Sequence, residues 1–344
     1  MRLGIIARAD KTGLGNQTKE LVDMLQPDKI LLIDSSHFNG NKQYPEWYDG
    51  YDVKTTQAGF ISNMEVNDFL SGIDVLISCE IFYNKRLSAL AHRRGIKTIL
   101  QYNYEFFEYF VVDGMRLPSV LVAPSVWNID IMEKAYGHAT NLVYLPPPTT
   151  PEIFAEAKEA NLAKKHKRIL HIAGKRANSD RNGTDIVVEM LKYSKADYEL
   201  VVKVQGDYEP DCDDPRLTID NSNPDNRAEL YSGFDLMVLP RKYGGLCLPM
   251  NEALLSGLPV IMTDISPNNH ILPKEWLVRA EYAGRVEFKG PVELYETDPA
   301  ELAKLVDVYM EHTNIAEQKA KAFDIGYRTF SPDVLKDKYL SIIE

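Results

Sequence analysis

Residues 235–261 read DLMVLPRKYGGLCLPMNEALLSGLPVI. The apolar run 235–239 is a strand that must end at Pro240, because proline cannot donate to a sheet ladder. A turn follows at Gly244-Gly245, and a helix begins near Pro249, a residue tolerated in the first helical turn. Gly257 stops that helix, and Pro259-Val260-Ile261 opens the next strand. Glu252 then falls in the first turn, where the helix macrodipole favours a negative charge. Strand, turn, helix and strand in this order form a βαβ unit, and strands that are apolar throughout belong to a parallel sheet covered on both faces.

The same alternation runs outward in both directions. Strands are expected at 3–7, 29–33, 74–79, 98–102, 119–123 and 141–145, with helices at 17–25 and 85–94 between them. Pro146-Pro147-Pro148-Thr149-Thr150-Pro151 forbids helix and ladder alike and reads as a linker. A second series follows with strands at 169–173, 199–204, 235–239 and 259–263, then helices at 298–321 and 332–343. The fold class is α/β, with two Rossmann-like domains at 1–148 and 149–328 and a terminal helix within 329–344.

The chain has 344 residues, 44% hydrophobic content, three cysteines and a formal net charge of −11. That apolar fraction excludes wholesale disorder. Cys79, Cys212 and Cys247 show no C-x-x-C spacing, which argues against a disulfide scaffold or a zinc ribbon. No apolar stretch approaches the ~20 residues that span a bilayer, and the N-terminus carries no signal-peptide core, so a soluble, cytoplasmic protein is expected, without membrane insertion. Net acidity argues against nucleic acid. The charge is uneven, however: residues 1–150 hold 14 Lys+Arg against 17 Asp+Glu, a net −3, so most of the excess lies in the second half.

Two further loops follow strands. In Arg8-Ala9-Asp10-Lys11-Thr12-Gly13-Leu14-Gly15-Asn16-Gln17-Thr18, paired glycines permit a tight turn, and a helix starting near Asn16 would aim its free N–H groups at an anion or a hydroxyl. In the loop 174–184, Lys175, Arg176 and Arg181 gather cations at the end of a parallel strand, and guanidinium groups suit a diphosphate. One Asp-x-Asp motif, Asp211-Cys212-Asp213, lies in a polar, proline-flanked loop, and no metal site is assigned to it.

Strand, glycine turn, Leu-Pro, two residues, Glu-Ala and Gly-x-Pro-Val resemble the GT-B fold glycosyltransferases of the retaining family 4 type. Ala123-Pro124-Ser125-Val126-Trp127 is similar to that family's strand before the linker, and Phe330-Ser331-Pro332 to the start of its crossing terminal helix. The resemblance implies two domains facing a cleft, a UDP- or GDP-linked sugar as co-substrate with no other cofactor, retention, and transfer without metal. It places Glu252 on the ribose hydroxyls and Arg176 on the diphosphate, with Arg181 beside it because the family's lysine position is Asn182. It also assigns Gly245 and Leu246 to the phosphate turn. Gly13, Gly15, Lys175, Tyr243 and Gly244 complete the expected donor site. Two positions depart from the pattern: Gly244 stands where a glutamate contacts the donor sugar, and Asn103 stands where a histidine is frequent. Arg176, Arg181 and Asn103 are the candidate catalytic residues, although an amide cannot act as a base near neutral pH.

In this family the first domain takes the acceptor, for which the candidates are Asn16, Glu80, Tyr83, Tyr102, Tyr104 and Glu105. Aromatic faces with carboxylates and amides suit a sugar ring or an unstacked base. Core packing is the alternative for each aromatic, and is expected more for Phe106 and Phe107 than for Tyr102 or Tyr104. The loop 9–18 and the segment 243–249 also resemble compact phage glycosyltransferases, some of which modify hydroxymethylated pyrimidines in DNA. The cations Lys85, Arg86, Arg93, Arg94 and Lys97 would serve that acceptor, in a host cytoplasm. A small glycan or glycolipid headgroup as acceptor, and a nucleotide-sugar binding module without transfer activity, are the alternatives.

Overall fold

Alternate residues of each central strand enter opposite hydrophobic cores, which fixes both sheets between helical layers. In β1 (Leu3–Ala7), Leu3, Ile5 and Ala7 join one buried cluster and Ile6 the other. The computed structural model describes residues 1–59, 61–111, 115–174, 180–206, 208–288 and 290–344, without the side chains of 39, 108–111 and 312. Within these, the strands are β2 (Lys29–Asp34), β3 (Val53–Gln57), β4 (Val75–Cys79), β5 (Lys97–Gln101), β6 (Val120–Ala123) and β7 (Asn141–Tyr144) in the first sheet. The second sheet holds β8 (Arg168–Gly174), β9 (Glu199–Val204), β10 (Leu217–Asp220), β11 (Leu236–Leu239), β12 (Val260–Thr263) and β13 (Leu277–Val278).

The seven-stranded sheet has the order β3-β2-β1-β4-β5-β6-β7 and the six-stranded sheet the order β10-β9-β8-β11-β12-β13. Every described pairing in them is parallel, with β1 set against β2 from Gly4↔Lys29 and β11 against β12 from Met237↔Val260. This is the α/β, doubly Rossmann-like architecture. A small third sheet pairs β14 (Glu281–Glu287) with β15 (Pro291–Glu296).

The chain divides into two units. The first comprises Met1–Thr149, Glu287–Pro291 and Pro332–Glu344; the second comprises Thr150–Val286 and Val292–Ser331. The last helix, Pro332–Ile343, therefore belongs to the first unit, where Leu335, Tyr339 and Ile343 enter its core. Tyr339 anchors it: the Gln101 amide donates to its hydroxyl at 3.0 Å, and that hydroxyl donates to the Pro146 carbonyl at 3.0 Å.

Several elements differ from the sequence expectation. The first helix spans Gly13–Leu25 and starts before Asn16, because the Thr12 hydroxyl caps it by accepting from the Gly15 N–H at 3.2 Å. The expected helix at 298–321 is two, Pro299–His312 and Ile315–Phe330, since the Asn314 side chain caps the second. Among the described residues, no helix is long and apolar enough to cross a membrane.

Candidate functional site

In the second unit the strand order changes direction between β8 and β11. Ligands of open α/β sheets bind in the crevice at the carboxyl ends of such neighbouring strands. Here the loops leaving β8 and β11 meet. The Lys242 N–H donates to the Arg181 carbonyl at 2.9 Å. Gly183, at φ +72°, lies so close to the Pro240 carbonyl that a Cβ would overlap it. Arg181 extends its guanidinium to the Gly244 carbonyl, with Nη2 at 3.0 Å and the group 4.5 Å from the centroid of the buried Tyr243 ring. Gly245 adopts φ +95°, a conformation glycine takes without steric cost. Arg181, Tyr243, Gly244, Gly245 and Leu246 thus come together around one turn.

Lys175 and Arg176 lie outside the described residues. Asn182 is spent on structure, its amide donating to the carbonyls of Ile172 at 2.9 Å and Ala173 at 3.3 Å. Asp180 accepts from the N–H groups of Thr184 at 2.7 Å and Asp185 at 3.1 Å, so a carboxylate of the chain already occupies the start of helix Thr184–Met190.

Glu252 sits on helix Leu248–Leu255, as its fifth residue. That places it in the second turn and corrects the expected first-turn position; the macrodipole effect fades beyond the first turn. Its carboxylate is held from the side. The Tyr231 hydroxyl donates to Oε2 at 2.6 Å, and Arg227 Nε lies 3.4 Å from Oε1. Burial, then the Glu252 charge, push the Tyr231 hydroxyl well above its ordinary pKa, so it remains a donor. Neither Arg227 nor Tyr231 is marked by any motif; both come from the 3-10 helix Arg227–Tyr231.

In the first unit the strand order changes direction between β1 and β4. Beyond β1, fully buried Asp10 gathers donors: Arg8 Nε at 3.0 Å, Arg8 Nη2 at 2.5 Å, the Thr12 N–H at 3.1 Å and the Thr12 hydroxyl. Arg8 Nη2 also donates to Ser35 Oγ at 2.6 Å. A Cβ at Gly15 would overlap the Asp10 carbonyl, so this glycine serves close packing, whereas Gly13 is exposed at the helix start. Asn16 is half-buried on the next turn.

Glu80 and Tyr83 follow β4 with left-handed backbones, φ +66° and +58°. Such conformations cost non-glycine residues energy and cluster at functional sites. Asn103, beyond β5, donates to Glu80 Oε1 at 3.1 Å. Burial raises the Glu80 pKa above the ordinary carboxylate value; the Asn103 hydrogen bond and the Arg8 charge oppose this, and the neighbouring Glu105 charge adds to it. Burial also raises the Tyr83 hydroxyl. Glu105 is itself buried, and the Tyr104 ring packs edge-on against Trp127 at 5.0 Å.

Tyr102 departs from its expected place at the acceptor. Its ring is buried in the core, 5.3 Å from Phe107, while Phe106 is half-exposed. The residue directly after a buried parallel strand still belongs to the core layer, which its aromatic character does not reveal. The exposed cations Lys85, Arg86, Arg93 and Arg94 flank or end helix Leu87–Arg93, and Arg94 bonds the Asn67 carbonyl at 2.7 Å. In the acidic loop after β9, Asp214 is paired with Arg216 at 2.8 Å.

No family model matches the sequence, and no curated protein matches it. Solved structures do match the fold. Anabaena HepE in complex with UDP and glucose superposes with a TM-score of 0.70 at 12% identity, over 99% of this chain and 98% of that one. Sucrose-phosphate synthase from Thermosynechococcus elongatus gives 0.67 at 11% identity, over 99% and 98%. The lipopolysaccharide outer core galactosyltransferase WaaB gives 0.67 at 10% identity, over 100% and 99%. The fold is that of the GT-B glycosyltransferases.

Proposed function

We propose that the protein is a glycosyltransferase that moves a sugar from a UDP- or GDP-linked donor to an acceptor hydroxyl, with retention. The observation that carries this reading is the convergence of Arg181, the Gly244-Gly245 turn and the β8–β11 switch point, followed by a helix bearing buried Glu252. HepE, of the same fold, has been solved with UDP and with UDP-glucose. In this reading Glu252 accepts the ribose hydroxyls, its carboxylate oriented by Tyr231 and Arg227. Arg181, with Lys175 and Arg176, and the N–H groups of Gly245 and Leu246 stabilise the charge that the departing nucleoside diphosphate gains. Such preorganised donors are commonly worth about 3 kcal/mol each in the transition state. They supply the charge that a divalent ion supplies in other enzymes, so transfer without metal is part of the proposal.

The first unit takes the acceptor. Glu80, Asn103 and Tyr83, with Asp10 and Arg8 behind them, offer hydroxyl-binding groups rather than a cationic track, which favours a small glycan or glycolipid headgroup. The exposed cations beside helix Leu87–Arg93 support the second reading, hydroxymethylpyrimidine in DNA. Nucleotide release from a panel of UDP- and GDP-sugars, measured with simple glycosides, plain DNA and hydroxymethylated DNA, separates the two. Release stimulated by glycosides alone supports the first, and release stimulated only by hydroxymethylated DNA supports the second. Tight donor binding without release under any condition would identify a binding module instead.

A further inference from the structure

Arg241 follows β11 by two residues, and it is only 3% exposed. A guanidinium so deeply buried ordinarily meets a carboxylate. Among the described residues this one has no ion-pair partner. Its Nη1 donates to the Leu246 carbonyl at 3.3 Å, and its buried Nε has no hydrogen-bond partner. The contrast within the same unit is Lys319, equally buried, whose ammonium meets Asp235 at 2.7 Å and the carbonyls of Asn161 at 2.5 Å and Lys164 at 3.1 Å. Among the described residues, the Lys319 ammonium is met by a carboxylate and the Arg241 guanidinium is not.

Its position gives the reason. The Arg241 carbonyl is fixed by the Thr263 hydroxyl at 2.6 Å, and Thr263 Oγ1 in turn accepts from the Asn268 amide at 3.3 Å. Its guanidinium and that of Arg181 are bound to carbonyls two residues apart, Leu246 and Gly244, in the turn at the β8–β11 switch point. An unmade hydrogen bond on a buried charged donor destabilises the empty protein. That cost persists where a ligand supplies the missing acceptor. We propose that Arg241 is an anion-binding residue whose guanidinium is completed by a phosphate group of the ligand, the diphosphate of a nucleotide sugar. The identification of that diphosphate rests on the glycosyltransferase reading; the anion site does not.

Calorimetric titration with inorganic pyrophosphate and with UDP, together with thermal unfolding of the ligand-free protein, tests this in the wild type, Arg241→Met and Arg241→Lys. Wild type binds both ligands. Arg241→Met weakens both about thirtyfold or more, the lower range for removing one partner of a buried charge pair. The ligand-free Arg241→Met protein melts no lower than wild type, because an unsatisfied buried charge has been replaced by apolar volume. Arg241→Lys falls between them, keeping charge but losing the bidentate fork. UDP binding unchanged in both variants, or a lowered melting temperature with affinities unchanged, would reduce Arg241 to a support of the Leu246 turn and overturn the inference while leaving the glycosyltransferase reading intact. Arg241-dependent pyrophosphate binding with UDP no tighter would uphold the anion site and overturn the nucleotide-sugar reading. No binding of pyrophosphate or UDP by the wild type would overturn both.

Discussion

Glu80 combines a left-handed backbone, a half-buried carboxylate and one amide partner, Asn103. Its raised pKa means that the folded state binds more protons than the unfolded state between the ordinary value of 4.5 and the raised one. Stability is therefore lost as pH rises through that window. Glu80→Gln removes the dependence while keeping a hydrogen-bond acceptor for Asn103. Denaturant unfolding is expected to show the variant at least as stable as wild type at about pH 7, with the advantage gone by about pH 4. An advantage that grows toward acid would contradict the assignment. Single residues also show how far the sequence could be read. Arg181 and Tyr243 to Leu246 were legible because glycines and cations beside a strand end announce a loop at a ligand edge. Arg227 and Tyr231 were not, because they reach Glu252 through packing between a 3-10 helix and a separate α-helix. Arg241 lay inside the most informative stretch, yet only the fold reveals that among the described residues no carboxylate meets it.

At the scale of elements, the helix bearing Glu252 owes its seat to the helix Ile315–Phe330. A Cβ at Gly326 would stand 2.9 Å from Leu254 Cβ and 3.0 Å from the Leu254 carbonyl carbon, closer than such atoms pack. Gly326→Ala gains about 1 kcal/mol in helix propensity. Overpacking costs about 1–3 kcal/mol and here pushes on backbone, so the net effect is a lower melting temperature. A displaced Leu248–Leu255 helix would also weaken UDP binding, and a variant as stable as wild type would show that the contact is not tight. The split between Pro299–His312 and Ile315–Phe330 was readable in principle: Asn314 and Glu317 form a cap signature that the helical period of the region concealed. Strand β3 was harder, since Val53–Gln57 is largely polar and buries only Thr56.

For the whole molecule, alternation of apolar strands with helices made the α/β class legible, because it follows from burying both faces of a parallel sheet. The membership of the last helix in the first unit follows instead from contacts remote in sequence, such as Gln101 with Tyr339. Ending the chain before Pro332 removes Leu335, Tyr339 and Ile343 from the core. The two aliphatic side chains alone amount to about 3–6 kcal/mol of burial. Against a domain stability of about 5–15 kcal/mol, the truncated first unit is expected to unfold at a much lower temperature and to be digested first in limited proteolysis. The net charge of −11 restricts the acceptor little, since the first 150 residues carry only −3 of it. The central claim concerns the second unit, and titration of UDP and GDP into wild type and Glu252→Ala tests it most directly. Saturable binding of one nucleotide by the wild type, weakened at least about thirtyfold in a variant that still folds, is the predicted result. Failure of the wild type to bind either nucleotide, or equal affinity in Glu252→Ala, would contradict it.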